Sequence, residues 1–325
     1  MNLTPTEKLL LQLLKIPSET GAELALANFL LERGLVGFKV QKITVDPKRF
    51  NILFTKGTPR RFLVAHIDTV AGQLPVRATQ TKIFGRGSCD NKSSVAAMLV
   101  AAKRLRDQGH SNFGVLLTVG EDGHDFDGAK AAAKFLKAHN IKPELVVVGE
   151  PTGGTVITGQ RGVLVVCVKA RGVQAHSSLA RPDSAIHTLL AALRLITSAR
   201  LPKTLVNIAQ IHGGVAPNIV AGAATATVSF RSSLPDIKAR VTRVLKPVGP
   251  KVVYEFVLDL APVASRVRGF KKREVSFFSE MFFFPNSIIC GAGEIKHAHT
   301  RTEQVSRAEL NGIVGKYIEL MGKKL

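Results

Sequence analysis

Short, almost wholly apolar segments alternate with helical patterns along the first half of the chain. Phe62–Ala65, Val115–Val119 and Leu145–Val148 read as strands, whereas Lys92–Arg106 and Gly128–His139 read as helices. Apolar strands of this kind are buried on both faces, which is typical of a parallel sheet covered by helices. We therefore predict an α/β fold with a mostly parallel mixed sheet flanked by helices.

The N-terminal segment has the pattern of two helices followed by strands. Thr4, Pro5 and Glu7 form a helix start with a capping box, and that helix is expected to end before Ile16-Pro17. Thr20 and Glu23 repeat the capping pattern, which predicts a second helix from Thr20 to about Arg33. The predicted strands that follow are Phe38–Val45, Asn51–Thr55 and Arg61–His66.

The pattern changes after about Gly159, where longer strands alternate with helices in an α+β order. We predict that residues 159–261 form an inserted α+β domain and that residues 1–158 and 262–325 together form the first domain. In the insert, the predicted strands are Val163–Ala170, Thr204–Ile211, Ala223–Phe230 and Val252–Leu258, and the predicted helices are Asp183–Ser198 and Pro235–Leu245.

Composition limits the class of protein. The 325 residues are 45% hydrophobic and 21% charged, which excludes a disordered protein and favours two domains. The three cysteines form no CxxC pair, which disfavours a disulfide scaffold and favours a reducing compartment. Because we find no signal-peptide pattern and no apolar run long enough to span a membrane, we expect a cytoplasmic protein without a membrane partner.

The charge balance favours acidic partners. Lys and Arg number 45 against 24 acidic residues, a formal net charge of +21. A basic nucleic-acid-binding protein is therefore the alternative from a different class, with Arg266, Arg268 and Lys271–Arg273 grouped around Phe270. No nucleic-acid-binding motif accompanies this group, and the chain has two tyrosines and no tryptophan for base stacking, which disfavours that alternative and favours a solvated basic face.

Acidic and histidine side chains follow the predicted apolar strands. His66 and Asp68 follow the first, Glu121-Asp122 the second and Glu150 the third, and Asp90 begins the helix after a glycine-rich loop. Ligands of open α/β sheets bind beyond the carboxyl ends of the strands. Carboxylates gathered there would repel one another, and two divalent cations would remove that repulsion. Imidazole and carboxylate ligands suit zinc.

These residues carry a resemblance to a known family. The chain resembles the dinuclear-zinc deacylase and peptidase family that includes acetylornithine deacetylase, succinyl-diaminopimelate desuccinylase and aminoacylase. The resemblance implies a zinc-peptidase-like catalytic domain with an inserted lid domain. The matching motifs lie in the family's order: Ala65–Val70, Gly85–Lys92, Glu121-Asp122, Gly149–Thr152, Gly172–Ser178 and Ala298–Thr300.

The resemblance implies a set of metal ligands. Asp90 would bridge two divalent ions, zinc or alternatively cobalt. His66 and Glu150 would complete one site, and Asp122 and His299 would complete the other.

The resemblance also implies two catalytic roles beside the ligands. Glu121 would act as general base on the attacking water. Asp68 would orient His66, as the outer partner of a metal-bound imidazole usually does.

Three further roles fall in the inserted domain. His176 resembles the family histidine that reaches the active site of the partner subunit and stabilises the oxyanion, which implies a homodimer. Asn218 and Arg231 resemble positions that hold the substrate, and a guanidinium suits its α-carboxylate.

Some assignments stay open, and the chain departs from the family pattern in places. His297 competes with His299 for the ligand role, and His124 is a further potential ligand. Asp122 is one methylene shorter than the usual glutamate. Ser279-Glu280 stands where the family usually has Thr-Asp or Thr-Glu, a position that bears on substrate choice. The run Phe282–Phe284 is interpreted as a buried strand.

The function that this resemblance implies is hydrolysis of the amide bond of a small-molecule N-acyl amino acid, most like acetylornithine deacetylase. The segment Gly291–Thr300 and the small size also resemble hydrolases that release lysine or ornithine from an acidic amino-group carrier protein, which would suit the net charge of +21. Succinyl-diaminopimelate desuccinylase and dipeptidase activities are further alternatives.

Overall fold

The computed structural model describes residues 2–123, 125–179 and 183–323. The chain divides into two compact units. The first unit comprises Met1–Gly159, Ala264–Arg273 and Ser279–Leu325, and the second comprises Gln160–Val263 and Glu274–Phe278. His124, one of the potential ligands, lies outside the described residues.

The first helix begins as its sequence predicts. The Thr4 hydroxyl accepts the backbone N–H of Glu7 at 3.3 Å, and the Glu7 carboxylate accepts the backbone N–H of Thr4 at 2.9 Å. Pro5 occupies the first helical position, where its missing N–H removes no helical hydrogen bond.

The second helix begins later than predicted. It starts at Leu24, and Glu23 precedes it without a side-chain cap. The Thr20 hydroxyl instead donates to Asp68 at 2.8 Å, so the predicted cap at Thr20 was wrong.

The α-helices of the described residues are α1 (Pro5–Leu14), α2 (Leu24–Arg33), α3 (Lys92–Asp107), α4 (Asp127–Ala138), α5 (Ala185–Ser198), α6 (Ile237–Leu245) and α7 (Arg307–Gly322).

The predicted strands other than Phe282–Phe284 occur in the predicted order with their ends shifted by a few residues, and the structure adds short strands. The strands of the described residues are β1 (Lys39–Thr44), β2 (Phe50–Lys56), β3 (Arg61–His66), β4 (Arg77–Ala78), β5 (Lys82–Phe84), β6 (Phe113–Thr118), β7 (Leu145–Val148), β8 (Gly159–Gln160), β9 (Gly162–Arg171), β10 (Thr204–Gly213), β11 (Ala223–Ser232), β12 (Val252–Leu260), β13 (Val263–Ala264), β14 (Glu274–Val275), β15 (Ser287–Ile289) and β16 (Gln304–Ser306). The short strands that the sequence analysis does not predict are β4, β5, β8, β13, β14, β15 and β16.

A six-stranded mixed sheet is the centre of the first unit. Its order is β1-β2-β6-β3-β7-β15; β6, β3, β7 and β15 run parallel, and β1 and β2 add antiparallel pairs at one edge. Leu63 and Ala65 join the core formed with α1, α2, α3 and α7. Phe62 and Val64, also buried, face the other side because side chains alternate along a strand, and α4 packs against β1, β2 and β6. The predicted mixed sheet flanked by helices is confirmed.

The second unit contains a four-stranded antiparallel sheet with the order β10-β11-β9-β12. The helices α5 and α6 contribute to its core, which includes Leu189, Phe230 and Val241. Glu274–Phe278 belongs to this unit as well. Arg161 explains this placement, because its backbone N–H donates to Val275 at 3.0 Å and its guanidinium lies 3.2 Å from Glu274.

The phenylalanine run is not the strand that the sequence predicts. Glu280–Phe283 forms a 3₁₀ turn, because the Ser279 hydroxyl accepts the backbone N–H of Met281 and so caps a turn. The strand at this sheet edge is Ser287–Ile289, beyond Pro285.

No helix within the described residues has the length and apolarity that crossing a membrane requires.

Candidate metal centre

Three neighbouring parallel strands bring acidic and histidine side chains to one edge of the first-unit sheet. His66 is the last residue of β3, and Glu121 and Glu150 lie just beyond β6 and β7. Since β6, β3 and β7 are adjacent and parallel, their carboxyl ends meet at this edge. His66, Glu121 and Glu150 are all buried.

Asp90 lies between two histidines. Its Oδ1 lies 3.2 Å from Nε2 of His66, and its Oδ2 lies 3.3 Å from Nε2 of His299. The same nitrogen of His299 lies 2.9 Å from Oδ1 of Asp122. One carboxylate therefore faces two imidazoles with different oxygens, which is the arrangement that a bridging ligand needs.

His299, and not the alternative ligand His297, lies in this cluster. His297 instead has Nδ1 3.4 Å from the amide nitrogen of Gln304. His299 has a positive φ of 61°, a conformation that is uncommon for a residue with a side chain. Such outliers concentrate at functional sites, where surrounding contacts maintain them.

Asp68 is held by several donors. Its oxygens accept the backbone N–H groups of Glu121 at 3.1 Å and Asp122 at 2.9 Å, and the Thr20 hydroxyl at 2.8 Å. Nδ1 of His66 lies 3.4 Å from Oδ1 of Asp68, so Asp68 contacts the ring nitrogen opposite the one near Asp90. Although burial raises the pKa of Asp68, the hydrogen bond from His66 and its charge lower it below the ordinary value.

Glu303 fixes the loop that carries Asp90. Its Oε1 accepts the backbone N–H groups of Gly87, Cys89 and Asp90, each at 3.0 Å. Its Oε2 accepts from the Arg86 guanidinium at 2.6 Å. Sequence reasoning missed Glu303, because its position depends on the pairing of β16 with β5, and no local pattern indicates that contact.

Asn51 of β2 and Arg49, which precedes the strand, contact the loop that carries Glu121 and Asp122. The Asn51 side chain accepts the backbone N–H of Val119 at 3.1 Å and donates to the Gly128 carbonyl at 2.8 Å. Arg49 lies 3.3 Å from Asp127, at the other end of the loop. A Cβ at Gly120, where φ is +74°, would lie 3.0 Å from the Arg49 guanidinium. Glycine at this position therefore permits the close approach of Arg49.

The site has a strongly negative potential. Burial raises the pKa of Glu121 and of Glu150 well above the ordinary value, and nearby carboxylates such as Asp90 raise both further. Hydrogen bonds to Asp122 and Asp90 raise the pKa of His299 to about 10. Five buried carboxylates (Asp68, Asp90, Glu121, Asp122 and Glu150) thus gather around two imidazoles, and imidazole and carboxylate donors suit a divalent cation such as zinc.

The geometry provides groups of donors that could hold an ion. In each group one ligand atom per residue lies within 4.8 Å of the others. The groups are His66-Asp90-Glu150, His66-Asp68-Asp122 and Asp90-Asp122-His299. Two of the three contain Asp90 and together include every ligand that the sequence implies.

Glu280 is a further buried acid that lies near this cluster. It is fully buried at the start of the 3₁₀ turn, and burial raises its pKa to about 7, while the charge of His66 opposes that shift. The sequence identified Ser279-Glu280 only as a departure from the family pattern.

The other three predicted site residues belong to the second unit. Nδ1 of His176 lies 2.8 Å from the Ser178 hydroxyl, and the backbone carbonyl of Asn218 accepts the backbone N–H of Ser177 at 2.9 Å. His176 and Asn218 therefore lie on adjoining segments. Arg231 lies on β11 and pairs with Val163 of β9.

Comparison with known proteins places the chain in a family. The model of peptidase family M20/M25/M40 matches residues 62–322. A peptidase M20 domain-containing protein of Schizosaccharomyces pombe is 35% identical, with 67% of this chain and 58% of that protein covered. A protein of Aeropyrum pernix named as a putative [LysW]-lysine/[LysW]-ornithine hydrolase is 32% identical, with 71% and 64% covered. The chain thus spans about three-fifths of the length of these two relatives.

Two more proteins extend the comparison. A probable carboxypeptidase of Aspergillus clavatus is 28% identical, with 100% of this chain and 90% of that protein covered. The crystal structure of a tripeptidase from Staphylococcus aureus has the same fold, with a TM-score of 0.82 at 23% identity over 97% of this chain and 96% of that one. The cluster of acids and histidines lies wholly within the segment that the family model matches. The chain therefore belongs to peptidase family M20/M25/M40.

Proposed function

We propose that the chain hydrolyses the amide bond of an N-acyl amino acid with the help of two divalent metal ions, for which zinc best suits the donors. The observation that carries this proposal is the position of Asp90, with one carboxylate oxygen near His66 and the other near His299. Such ions polarise a bound carbonyl and lower the pKa of a coordinated water.

We assign the ligands from the same contacts. Asp90 is the shared ligand, His66 and Glu150 belong to one ion, and Asp122 and His299 belong to the other. The three donors of each ion lie within 4.8 Å of one another, which supports this division.

Asp68 is not assigned as a ligand. Backbone N–H groups, a hydroxyl and the Nδ1 of His66 surround its oxygens. We assign it the role of orienting His66 so that Nε2 faces the metal site. Loss of such a contact typically weakens metal binding about 10–100-fold.

Glu121 is the general base of the proposed reaction. It is buried, and its Oε2 lies 4.0 Å from Nε2 of His66, but it is absent from the three donor groups. Its carboxylate accepts a proton from the attacking water and later delivers that proton to the departing amine nitrogen. A carboxylate beside the ligands, and not among them, remains available for that transfer.

We propose that the substrate has a free carboxylate next to the scissile amide. An N-acyl amino acid has this feature, and so does the C-terminal residue that a carboxypeptidase releases. Arg231 is assigned to the α-carboxylate, since a guanidinium binds a carboxylate through two parallel hydrogen bonds. Asn218 is assigned to the substrate as well. Acetylornithine is the first candidate, and N-succinyl-diaminopimelate and dipeptides are further ones.

We also propose a homodimer formed through the second unit, with His176 stabilising the oxyanion at the site of the partner subunit. The strand β10 lies at the edge of its sheet, and Leu205 and Ile211 on it are 54% and 53% exposed. An exposed edge strand with apolar side chains is suited to pairing with another chain. The exposed Leu190 of α5 in the same unit supports an interface there.

A second candidate function is favoured by one relative. The Aeropyrum pernix protein is named for the release of lysine or ornithine from LysW, and the basic balance of this chain would suit an acidic carrier protein. Such a substrate presents the same scissile amide beside a free carboxylate, so the assigned residues would serve both reactions.

We further propose a cytoplasmic location. The support is that Cys89, Cys167 and Cys290 are all free thiols. Free cysteines are typical of reducing compartments.

The experiment removes the metal with a chelator, adds back zinc or cobalt, and assays acetylornithine, N-succinyl-diaminopimelate and a dipeptide side by side. We expect activity to return only with metal and only on substrates with a free α-carboxylate. The matched control is each substrate with that carboxylate converted to an amide. Equal turnover of free and blocked substrates would contradict the assignment of Arg231, and full activity without metal would contradict the proposed reaction.

A further inference from the structure

A short ordered loop in the first unit concentrates exposed positive charge. The basic loop, Ser265–Arg273, has five basic residues and no acidic one. All five basic side chains are exposed, and within the described residues none of them forms an ion pair or a side-chain hydrogen bond. They are Arg266, Arg268, Lys271, Lys272 and Arg273.

Thr158 forms hydrogen bonds to both ends of the basic loop. The carbonyl of Thr158 accepts the backbone N–H of Ser265 at 2.7 Å, and the backbone N–H of Thr158 donates to the carbonyl of Arg273 at 3.0 Å. The Thr158 hydroxyl also accepts the backbone N–H of Arg273 at 3.0 Å. The ends of the loop are therefore held together, and its backbone is fixed.

The apolar residues of the loop point toward the protein. Val267 and Phe270 pack against the core of the first unit, and Gly269 makes the turn between them with a φ of +83°. Lys323 lies over the Phe270 ring at 4.2 Å and donates to the Gly269 carbonyl at 3.0 Å. The loop thus presents cations outward on an anchored frame.

The acid that follows the loop does not neutralise it. Glu274 is engaged by Arg161 at 3.2 Å and accepts from the Ser233 hydroxyl at 2.6 Å. The five cations therefore keep their charge for a ligand from outside.

We propose that the basic loop is a docking surface for an acidic polypeptide segment. Because hydrogen bonds hold the two ends of the loop together, its backbone loses less conformational entropy on binding, and preorganisation of this kind increases affinity. Positive and negative patches also steer two partners together. The inference does not depend on the proposed hydrolysis, because binding is measured without turnover.

The chemistry of the loop favours carboxylates on a polypeptide over nucleic acid. Proteins that bind single strands combine basic grooves with aromatic side chains on which bases stack. The one aromatic residue of the loop, Phe270, is covered by Lys323 and packed against the core. The loop is also not a helix or a strand pair of the kind that enters a DNA groove. Arg266 and Arg268 can each bind a carboxylate through two hydrogen bonds.

The test measures binding of a fluorescent ten-residue glutamate peptide to the full chain by anisotropy at about 50 mM salt, where charge pairs are weakly screened. The variant K271Q/K272Q/R273Q removes three exposed cations from the loop. The matched control K134Q/K137Q/K142Q removes three exposed cations near α4, which form no ion pair in the described chain. A second loop variant, R266Q/R268Q, tests the other side of the turn, and a ten-residue uridylate serves as the nucleic-acid probe.

We expect both loop variants to weaken peptide binding by about tenfold, because each exposed pair contributes a modest part of the affinity. The control should change it by less than about twofold, and all variants should keep the wild-type melting temperature and activity on a small substrate. Equal weakening by loop and control variants would overturn the proposal, since only net charge would then matter. Absence of peptide binding, or tighter binding of the uridylate through the loop, would also overturn it.

Discussion

Hydrogen bonds to single side chains determine how the metal centre is arranged. Asp90 can face two histidines because Glu303 holds the preceding loop through three backbone N–H groups. Nδ1 of His66 lies 3.0 Å from the backbone carbonyl of Asp68 and 3.4 Å from its carboxylate. Residues outside the proposed ligand set therefore contribute to the geometry of this cluster.

Replacing Glu121 tests its role as the base. We expect Glu121→Ala to retain bound metal, because Glu121 is absent from the donor groups, but to lose turnover by about 10²–10⁴-fold, the usual contribution of general acid–base catalysis. Metal content by mass spectrometry and kcat on the best substrate check this. Activity close to wild type would remove Glu121 from the mechanism.

Replacing Glu303 tests the support of the Asp90 loop. We expect Glu303→Ala to weaken metal binding by about 10–100-fold, the range typical for outer partners of ligands. Glu303→Gln should lose less, since its amide oxygen can still accept the backbone N–H groups. Competition with a chelating dye measures both affinities, and unchanged affinity in Glu303→Ala would contradict the role.

At the scale of elements, the sequence predicts what depends on local pattern and on strand order. His66, Glu121 and Glu150 could be placed at one sheet edge because each follows an apolar strand, and parallel strands end together. Thr20 was assigned to a helix cap, but its hydroxyl contacts Asp68, 48 positions away. Glu303 was missed for the same reason, since its contacts form only once distant strands pair.

The helices α1 and α7 are joined by a buried ion pair. Glu7 accepts from the Arg307 guanidinium at 2.7 and 2.9 Å and from Asn311 at 2.8 Å. The hydrogen bond from Arg307 is the main cause that lowers the pKa of Glu7 from 4.5 to about 2, while burial opposes it. The folded state thus favours the ionised carboxylate.

This ion pair predicts a pH dependence of stability. Because the folded pKa lies below the unfolded one, the stabilisation is fully present above about pH 4.5 and declines as pH falls toward 2. Relative to Glu7→Gln, we expect wild type to gain on the order of 3 kcal/mol in unfolding free energy at neutral pH. Urea unfolding of both proteins at pH 7, 4 and 3 measures this difference, and a difference that does not shrink with acidity would refute it.

At the scale of the whole molecule, the predicted catalytic and substrate residues divide between the two units. The metal cluster lies in the first unit, and His176, Asn218 and Arg231 lie in the second. The fold of each unit could be predicted from pattern, but no pattern in one chain indicates which subunit's site His176 serves. That question needs an experiment on the assembly.

Mixing two inactive variants tests the proposed dimer. If His176 acts at the partner's site, then Glu121→Ala and His176→Ala protomers should together form one complete site in each mixed dimer. We expect about a quarter of wild-type activity after random re-association of equal amounts, since half of the dimers are mixed and one of two sites is complete. A mixture as inactive as its components, or a fully active monomer in sedimentation, would rule this arrangement out.

We propose that Asp90 is a ligand of two metal ions. His66 and Glu150 bind the first ion with it, and Asp122 and His299 bind the second. Anomalous diffraction from crystals of the zinc-loaded protein measures this directly. We expect two peaks within coordination distance of Asp90, one on each side of its carboxylate. A single peak, or peaks away from Asp90, would contradict the proposal.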